Sequence, residues 1–382
     1  MKITLLEPFM TGSHATWARE YAAHSHHDVE ILALQGKHWK WRMHGGAVTL
    51  ARKFLAGGYC PDLLLATDML DLTTFLALTR KVTADIPTVL YFHENQLSYP
   101  WSPEDADPGL QRDAHYSFIN YTSALVADAI LFNSDYHRQD FLAELPGFLK
   151  SFPDFCEIDS IKLIADKSRT LYLGLDLQKF DQYRLAEVKD NEPPLILWNH
   201  RWEYDKNPEE FFRALFVLHE RGVKFKLAVL GESYHQQPPI FTEARQRLEQ
   251  QIVHWGYIES FSDYASWLWR SDILPVTSLH DFFGISIVEA IYCGCQPLLP
   301  QRLAYPEHIN TEYHQHCFYS GFDDLVRRLE ELCKATPLRQ EHLKARVYRY
   351  DWSEMADIYD ELWHEAKTWR VEERVFSSFV GS

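Results

Sequence analysis

The residues best placed to do chemistry stand in one run, His280-Asp281-Phe282-Phe283-Gly284-Ile285-Ser286-Ile287-Val288-Glu289-Ala290. The run follows an apolar segment, Ile273–Val276, and opens a helix. Backbone N–H groups and the helix dipole make such a start an anion site, and Gly284 lets a phosphate approach the backbone. Asp281 stands just before the helix and Glu289 about one turn inside it. Two carboxylates around a phosphate cradle suit a diphosphate with hydroxyls on either side, one acid for a sugar and one for a ribose. The rival reading is an ordinary strand–helix junction with solvated acids. A second run, Leu195-Ile196-Leu197-Trp198-Asn199-His200-Arg201-Trp202-Glu203-Tyr204-Asp205-Lys206-Asn207, supplies cations. Arg201 offers a planar fork and Lys206 a point charge, so the pair can neutralise a nucleoside diphosphate leaving group. Two loop cations on a surface would give the same spelling.

The first half adds weaker signals. Its opening strand runs into Met10-Thr11-Gly12-Ser13-His14, where Gly12 can admit a phosphate. The apolar run Thr88–Phe92 gives way to His93-Glu94-Asn95-Gln96, a polar cluster able to bind hydroxyls or shuttle a proton. A satisfied structural histidine is the alternative for His93. From Ile31 to Pro61 there is no acid, while Lys37, Lys40, Arg42, Arg52 and Lys53 are interleaved with His38, Trp39, Trp41 and His44. Cations alternating with rings suit a nucleic-acid backbone and unstacked bases, although an ordinary basic face reads alike. Asp105-Ala106-Asp107 imitates a metal-binding pair by chance, and His24-Ser25-His26-His27 reads as a polar helix end. No G-x-G-x-x-G follows the first strand and no Walker loop exists, which argues against a dehydrogenase and an NTPase.

Asp281-Phe282-Phe283-Gly284…Glu289-Ala290 resembles the E-x7-E motif of retaining glycosyltransferases of the family-4 type, with Asp281 where that family usually has Glu. Arg201…Lys206 resembles its diphosphate-binding pair, and Gly231, Gly256 and Cys293-Gly294-Cys295-Gln296-Pro297-Leu298 fall where its glycines and following proline lie. The resemblance spans nearly the whole chain and implies a GT-B fold. The His93–Pro100, Asn199–Lys206 and His280–Gln296 blocks are further similar to members that act on a modified tRNA nucleoside. That similarity implies transfer of mannose from GDP-mannose to the cyclopentenediol of queuosine in tRNA-Asp, with no metal. On the donor side it implies Gly12, Arg201, Lys206, Tyr257 (near guanine), Asp281, Phe283, Gly284, Ile285 and Glu289. On the acceptor side it implies His14, His93, Glu94 and Asn95, with Lys37, Lys40 and Arg42 meeting the tRNA. Arg201, Lys206, Asp281 and His93 are the expected catalytic set. A small or lipid-linked acceptor, or a sugar-nucleotide-binding module without turnover, stays open.

Elements able to hold these residues alternate along the chain. Apolar strand runs Ile3–Leu6, Leu63–Ala66, Thr88–Phe92 and Ala129–Phe132 are separated by helical stretches near 13–24, 47–56, 72–80, 111–126 and 135–145. The second half repeats the scheme, with strands Leu195–Trp198, Lys226–Leu230, Ile252–Val253, Ile273–Val276 and Gln296–Leu299. Its helices are expected at 208–220, 239–251, 262–269, 285–293, 323–333 and 352–369. Asn207 before Pro208, and Asp351 before the last helix, read as caps. Such alternation predicts an α/β chain of two Rossmann-like, doubly wound parallel-sheet domains facing across a cleft. We place them at 1–185 and 186–351, with polar residues 181–194 as the boundary and 352–382 crossing back onto the first. The 382 residues fit two domains, and the 46% hydrophobic content excludes a largely disordered chain. Six scattered cysteines, no membrane-length apolar run and an early acid and proline fit a reduced, cytoplasmic protein. A net charge of −16 repels polyphosphates at long range, so any RNA contact must be local.

Overall fold

A computed structural model gives the fold and describes residues 1–102, 105–110, 113–184, 193–232, 237–335 and 341–366. Parts of the expected helices 111–126 and 352–369, most of the 181–194 boundary and the stretch from 367 to 382 lie outside the described residues. The chain forms two compact units, Met1–Leu175 with Trp352–Ser382, and Asp176–Asp351.

The first unit runs β1 (Lys2–Met10), α1 (Gly12–His24), β2 (Asp28–Gln35), α2 (Trp39–Gly57), β3 (Leu63–Thr67), α3 (Leu72–Thr83) and β4 (Thr88–Phe92). It continues with α4 (Ala114–Val126), β5 (Ala129–Phe132), α5 (Asp135–Lys150), α6 (Ser160–Asp166) and β6 (Ser168–Thr170). Its six strands are parallel in the order β2-β1-β3-β4-β5-β6. Every residue of β3, β4 and β5 is buried, as helices on both faces require of unbroken apolar runs.

The second unit runs β7 (Leu195–Trp198), α7 (Pro208–Glu220), β8 (Lys226–Val229), α8 (Ile240–Arg247), β9 (Ile252–Trp255), α9 (Phe261–Arg270) and β10 (Ile273–Pro275). Then come α10 (Ile285–Tyr292), β11 (Gln296–Pro300), α11 (Tyr305–His308), β12 (Phe318–Tyr319), α12 (Phe322–Lys334) and α13 (Glu341–Val347). Strand order is β12-β11-β10-β7-β8-β9, again parallel. The order reverses between β7 and β10, and open α/β sheets bind ligands in the crevice at that point. Trp198, Phe211, Phe212 and Phe241 build the core beneath it.

The last described helix, α14 (Trp352–Ala366), belongs to the first unit. Its Tyr359 hydroxyl accepts the Trp17 indole N–H at 3.1 Å, and Asp360 accepts from the Tyr21 and Ser25 hydroxyls and the His26 amide. Gly174 is required opposite, because a Cβ there would lie 2.4 Å from the Trp352 ring.

Several expectations need correction. The acid-free stretch is not one unit: its first residues end the edge strand β2, and α2 starts at Trp39 rather than 47. Gly45 and Gly46 argue locally against a helix, yet Trp41 lies over Gly45, and Gly46 sits against Pro8 and Leu34 of the neighbouring strands. Helix α5 runs through Pro146 to Lys150. Asn207 has left-handed φ and makes no side-chain cap; its amide donates to Glu210 at 2.6 Å. Asp351 does stand immediately before the last helix, and its carboxylate also accepts the Leu177 and Gln178 amides.

One backbone crossing fixes the site loops. Gly231, after β8, has φ +100°, and a Cβ there would lie 2.0 Å from the His200 carbonyl oxygen after β7. We expect Gly231→Ala to cost about 2–4 kcal/mol of unfolding free energy, from left-handed strain plus overpacking. A urea midpoint unchanged from the parent would show that the crossing relaxes.

Candidate active site

The loops after β7 and β10 meet at the point where the strand order reverses. Lys206 reaches from the first loop into the second: its Nζ lies 2.9 Å from Asp281 Oδ1, donates to the His280 carbonyl at 2.8 Å and lies 3.0 Å from Asp205 Oδ2. Tyr305 donates to the other Asp281 oxygen at 2.6 Å. Burial alone would raise the Asp281 pKa, but Lys206, with His200 and the Tyr305 hydroxyl, brings it down to about 2. Burial also works against the Lys206 ammonium, and the Asp281 and Asp205 carboxylates overcome it and push the pKa up. Both groups are therefore charged at neutral pH.

The second loop is held from all sides. Arg302 donates to the Ser278 and Thr277 carbonyls, Thr277 Oγ1 donates to the Lys206 carbonyl, and His308 bonds the Phe283 carbonyl at 2.6 Å. Burial keeps His200, His280 and His308 neutral, each with a pKa of about 4. Gly284, at φ +90°, turns the chain into α10. Ile285 opens that helix, and the Phe283 ring packs on His308 and Tyr350.

Glu289 lies one turn into α10 and accepts the Tyr264 hydroxyl at 2.7 Å. Beside it a recess of about 210 Å³ is lined by Asn199, Arg201, Gly231, Glu232, Tyr257 and Tyr264, among others. Arg201 is 44% exposed at its side chain and pairs with Glu203 at 3.2 Å; Tyr257 is 59% exposed. Asn199 donates to the Ser286 carbonyl, whereas its Oδ1 and the Nε2 of His200 are buried with no hydrogen-bond partner among the described residues. Asn199 lines the recess, and an orphaned buried polar atom there marks a place where a ligand completes the bonding. The structure thus brings together Lys206 with Asp281, and Arg201 with Tyr257, while Tyr264 links Glu289 to the recess. Sequence reasoning passed over Asn199, Tyr264 and Tyr305, whose only signal was position after a strand or on a neighbouring helix.

The first unit has its own polar centre. Glu7 lies in β1, fully buried; it accepts the Phe9 amide at 2.7 Å, and its other oxygen lies 3.1 Å from His14 Nδ1. The His14 ring packs on His93 at 4.3 Å between centroids, and Trp17 and Tyr91 close around His93. Asp68, just past β3, accepts the His93 amide at 2.8 Å. Burial disfavours a charged His14, but Glu7, with Asp68 and Glu94, raises its pKa to about 9. Burial and the neighbouring His14 push His93 well below the ordinary value, so it is neutral. Burial drives the Asp68 carboxyl upwards against the pull of His14. Ligand-type atoms of Glu7, His14 and His93 lie within 4.8 Å of one another, a spacing that could hold a metal ion. Asn95 serves a turn: its Oδ1 accepts the Leu97 and Ser98 amides, while Glu94 accepts from Gln96 at 2.9 Å. Gly12, at φ +51°, starts α1, and the space into which a Cβ would point is open to 4 Å.

The basic stretch is divided by its contacts. Lys40 pairs with Asp105 and Asp107 and lies over the Trp39 and Trp101 rings, so the Asp-x-Asp run neutralises it. Arg42 Nε donates to the Gln35 carbonyl at 3.0 Å, Lys37 is exposed, and Trp41 is 64% exposed. No helix among the described residues is long and apolar enough to cross a membrane.

The His14 pKa carries a sign. A value raised from 6.5 to about 9 contributes stability that is complete below pH 6.5 and is lost as pH rises through 9. Glu7→Gln removes that contribution. The parent's advantage over the variant in urea should therefore be largest at about pH 6 and shrink by about pH 10. A gap independent of pH would remove the ion pair from the account.

Residues 2–175 match the family model "tRNA-queuosine alpha-mannosyltransferase N-terminal", and residues 179–347 match "Glycosyl transferases group 1". The tRNA-queuosine alpha-mannosyltransferase of Drosophila melanogaster is 34% identical over 339 residues, 87% of each chain. A GDP-mannose-dependent alpha-(1-6)-phosphatidylinositol dimannoside mannosyltransferase of Mycobacterium tuberculosis is 24% identical over 66% of this chain and 60% of its own. In fold the chain is similar to sucrose-phosphate synthase from Thermosynechococcus elongatus (TM-score 0.69, 13% identity, 96% and 98% of the two chains). It is likewise similar to a glycosyltransferase from Rickettsia africae (TM-score 0.63, 16% identity, 96% and 98%). With two parallel six-stranded sheets the fold is GT-B, and the chain belongs to the tRNA-queuosine alpha-mannosyltransferase family.

Proposed function

We propose that this chain transfers mannose from GDP-mannose to the cyclopentenediol of queuosine in the anticodon of tRNA-Asp, with retention at the anomeric carbon. The Lys206–Asp281 pair, 2.9 Å apart at the reversal of strand order, carries this reading. A carboxylate kept ionised in a buried loop is suited to sugar hydroxyls, and the ammonium beside it adds positive potential where a diphosphate departs. Both named relatives act with mannose, and one is named for GDP-mannose dependence.

Arg201 is the accessible fork for the diphosphate, together with amides near Phe283, Gly284 and Ile285. Glu289 takes the ribose, and Tyr257 covers the guanine at the recess. In the reaction the bond from the anomeric carbon to the phosphate oxygen breaks while a bond to the queuosine hydroxyl forms on the same face. The hydroxyl proton passes to the departing phosphate, giving GDP and mannosyl-queuosine. The cations and helix amides supply the charge stabilisation, so the chemistry requires no metal. Gly12 gives the first unit a backbone able to approach phosphate. His14, His93, Glu94 and Asn95 form the acceptor side, Asn95 through its turn. Lys37, Arg42 and Trp41 meet the tRNA, Lys40 contributing less because its charge is paired. The setting is the cytoplasm.

The direct test is incubation with labelled GDP-mannose and tRNA with or without queuosine. Label is expected only in queuosine-containing tRNA, and label in small glycosides or lipid extracts instead would overturn the acceptor. Arg201→Ala should lower turnover a hundredfold or more, since one lost donor to a departing charge costs roughly 3–4 kcal/mol. Near-normal kcat would take Arg201 out of that role. Neutralising Lys37 and Arg42 together should weaken tRNA binding and flatten its salt dependence by about one to two in log–log slope. An unchanged slope would move the tRNA elsewhere.

A further inference from the structure

The second unit also gathers three imidazoles that the proposed transfer reaction does not use. His314 precedes the turn Gln315–Cys317 that leads into β12, His316 lies inside that turn, and His342 is the second residue of α13. One ring nitrogen of each lies within 4.8 Å of the others. Ring centroids of His314 are 5.9 Å from His316 and 5.3 Å from His342. His314 is only 9% exposed, and its Nε2 makes no hydrogen bond among the described residues. A polar atom so placed normally has a partner, and here the adjacent groups are two more imidazoles.

We propose that His314, His316 and His342 form a transition-metal site, taking zinc with water as fourth ligand. Three histidine nitrogens at about 2.0–2.1 Å from zinc is an established donor set. It requires the nitrogens to close to about 3.3 Å of one another, a movement available to the exposed His316 and His342 side chains. The donor atoms select the class of ion. No carboxylate belongs to the triad. Arg328, whose Nη1 donates to the Gln315 carbonyl, and Arg346 place positive charge nearby. Calcium and magnesium need oxygen ligands and are disfavoured there, whereas imidazole donors suit zinc, copper and nickel. The metal's effect would be a staple between the turn before the edge strand β12 and α13, two segments separated by about 25 residues.

The test uses the full chain, free of any affinity tag and stripped with a chelator, titrated with Co(II). One equivalent is expected to produce the visible ligand-field bands of a four-coordinate nitrogen site, and Zn(II) to displace them. His316→Ala and His342→Ala, both surface changes that should leave folding intact, are expected to weaken binding by about a hundredfold. His26→Ala, in the separate histidine run of the first unit, is expected to leave the bands unchanged. Absence of bands in the parent, or their persistence in both triad variants, would overturn the proposal.

Discussion

A buried ion pair, Lys206 with Asp281, is the constraint on which the second unit's site depends. Removing two charges from water costs several kcal/mol per ion, and replacing such a pair by apolar groups is often stabilising. A pair of this kind is therefore weak evidence for stability. Its position explains it better: the lysine comes from the loop after β7 and the aspartate from the loop after β10, the two strands between which the order reverses. The pair sets the distance between those loops. Tyr305, Arg302 and His308 then fix the second loop by bonding its carboxylate and its carbonyls. In the proposed transfer, a sugar arriving there would meet a carboxylate already oriented and ionised, which is the preorganisation that electrostatic catalysis needs.

The first unit solves the same problem with different residues. Its Glu7–His14 pair joins β1 to the start of α1, again at strand carboxyl ends, and His93 stacks against it after β4. The two histidines differ sharply in proton affinity although their rings touch. Glu7 supplies the difference for His14, while burial beside that positive ring holds His93 neutral. One buried carboxylate thus assigns protonation states to two imidazoles, which is how a site obtains a cation and a neutral acceptor side by side.

How much of this was legible depends on the range of the interaction. β3, β4 and β5 read as strands because each is an apolar run buried on both faces, and that property is local. Asp281, Gly284 and Glu289 were legible because a strand, a glycine and a helix stand in immediate succession. The pairing of Lys40 is not legible locally, because its partners, Asp105 and Asp107, lie 65 and 67 residues away. The start of α2 was obscured for a similar reason: Gly46 looks unfavourable until Pro8 and Leu34 are seen against it. Asn207 had the spelling of a cap, but its left-handed backbone turned the amide towards Glu210 instead. Asp71 and Ser134, which do cap α3 and α5, lack the following proline that marks Asn207.

Charge follows the same division between local and distant. The chain carries a net −16, yet its proposed substrates are a nucleotide sugar and a polyanion. Long-range attraction cannot recruit either, so recognition must rest on short-range geometry. That shifts weight from cation number to cation placement. Arg201 remains accessible at a recess, whereas Lys206 is nearly buried and shapes the loop it reaches. On α2, Asp105 and Asp107 subtract one cation and leave Trp41 exposed between Lys40 and Arg42. Stacking on an exposed indole is insensitive to net charge, so an acidic protein gains relatively more from a ring than from another lysine when it grips an unstacked base.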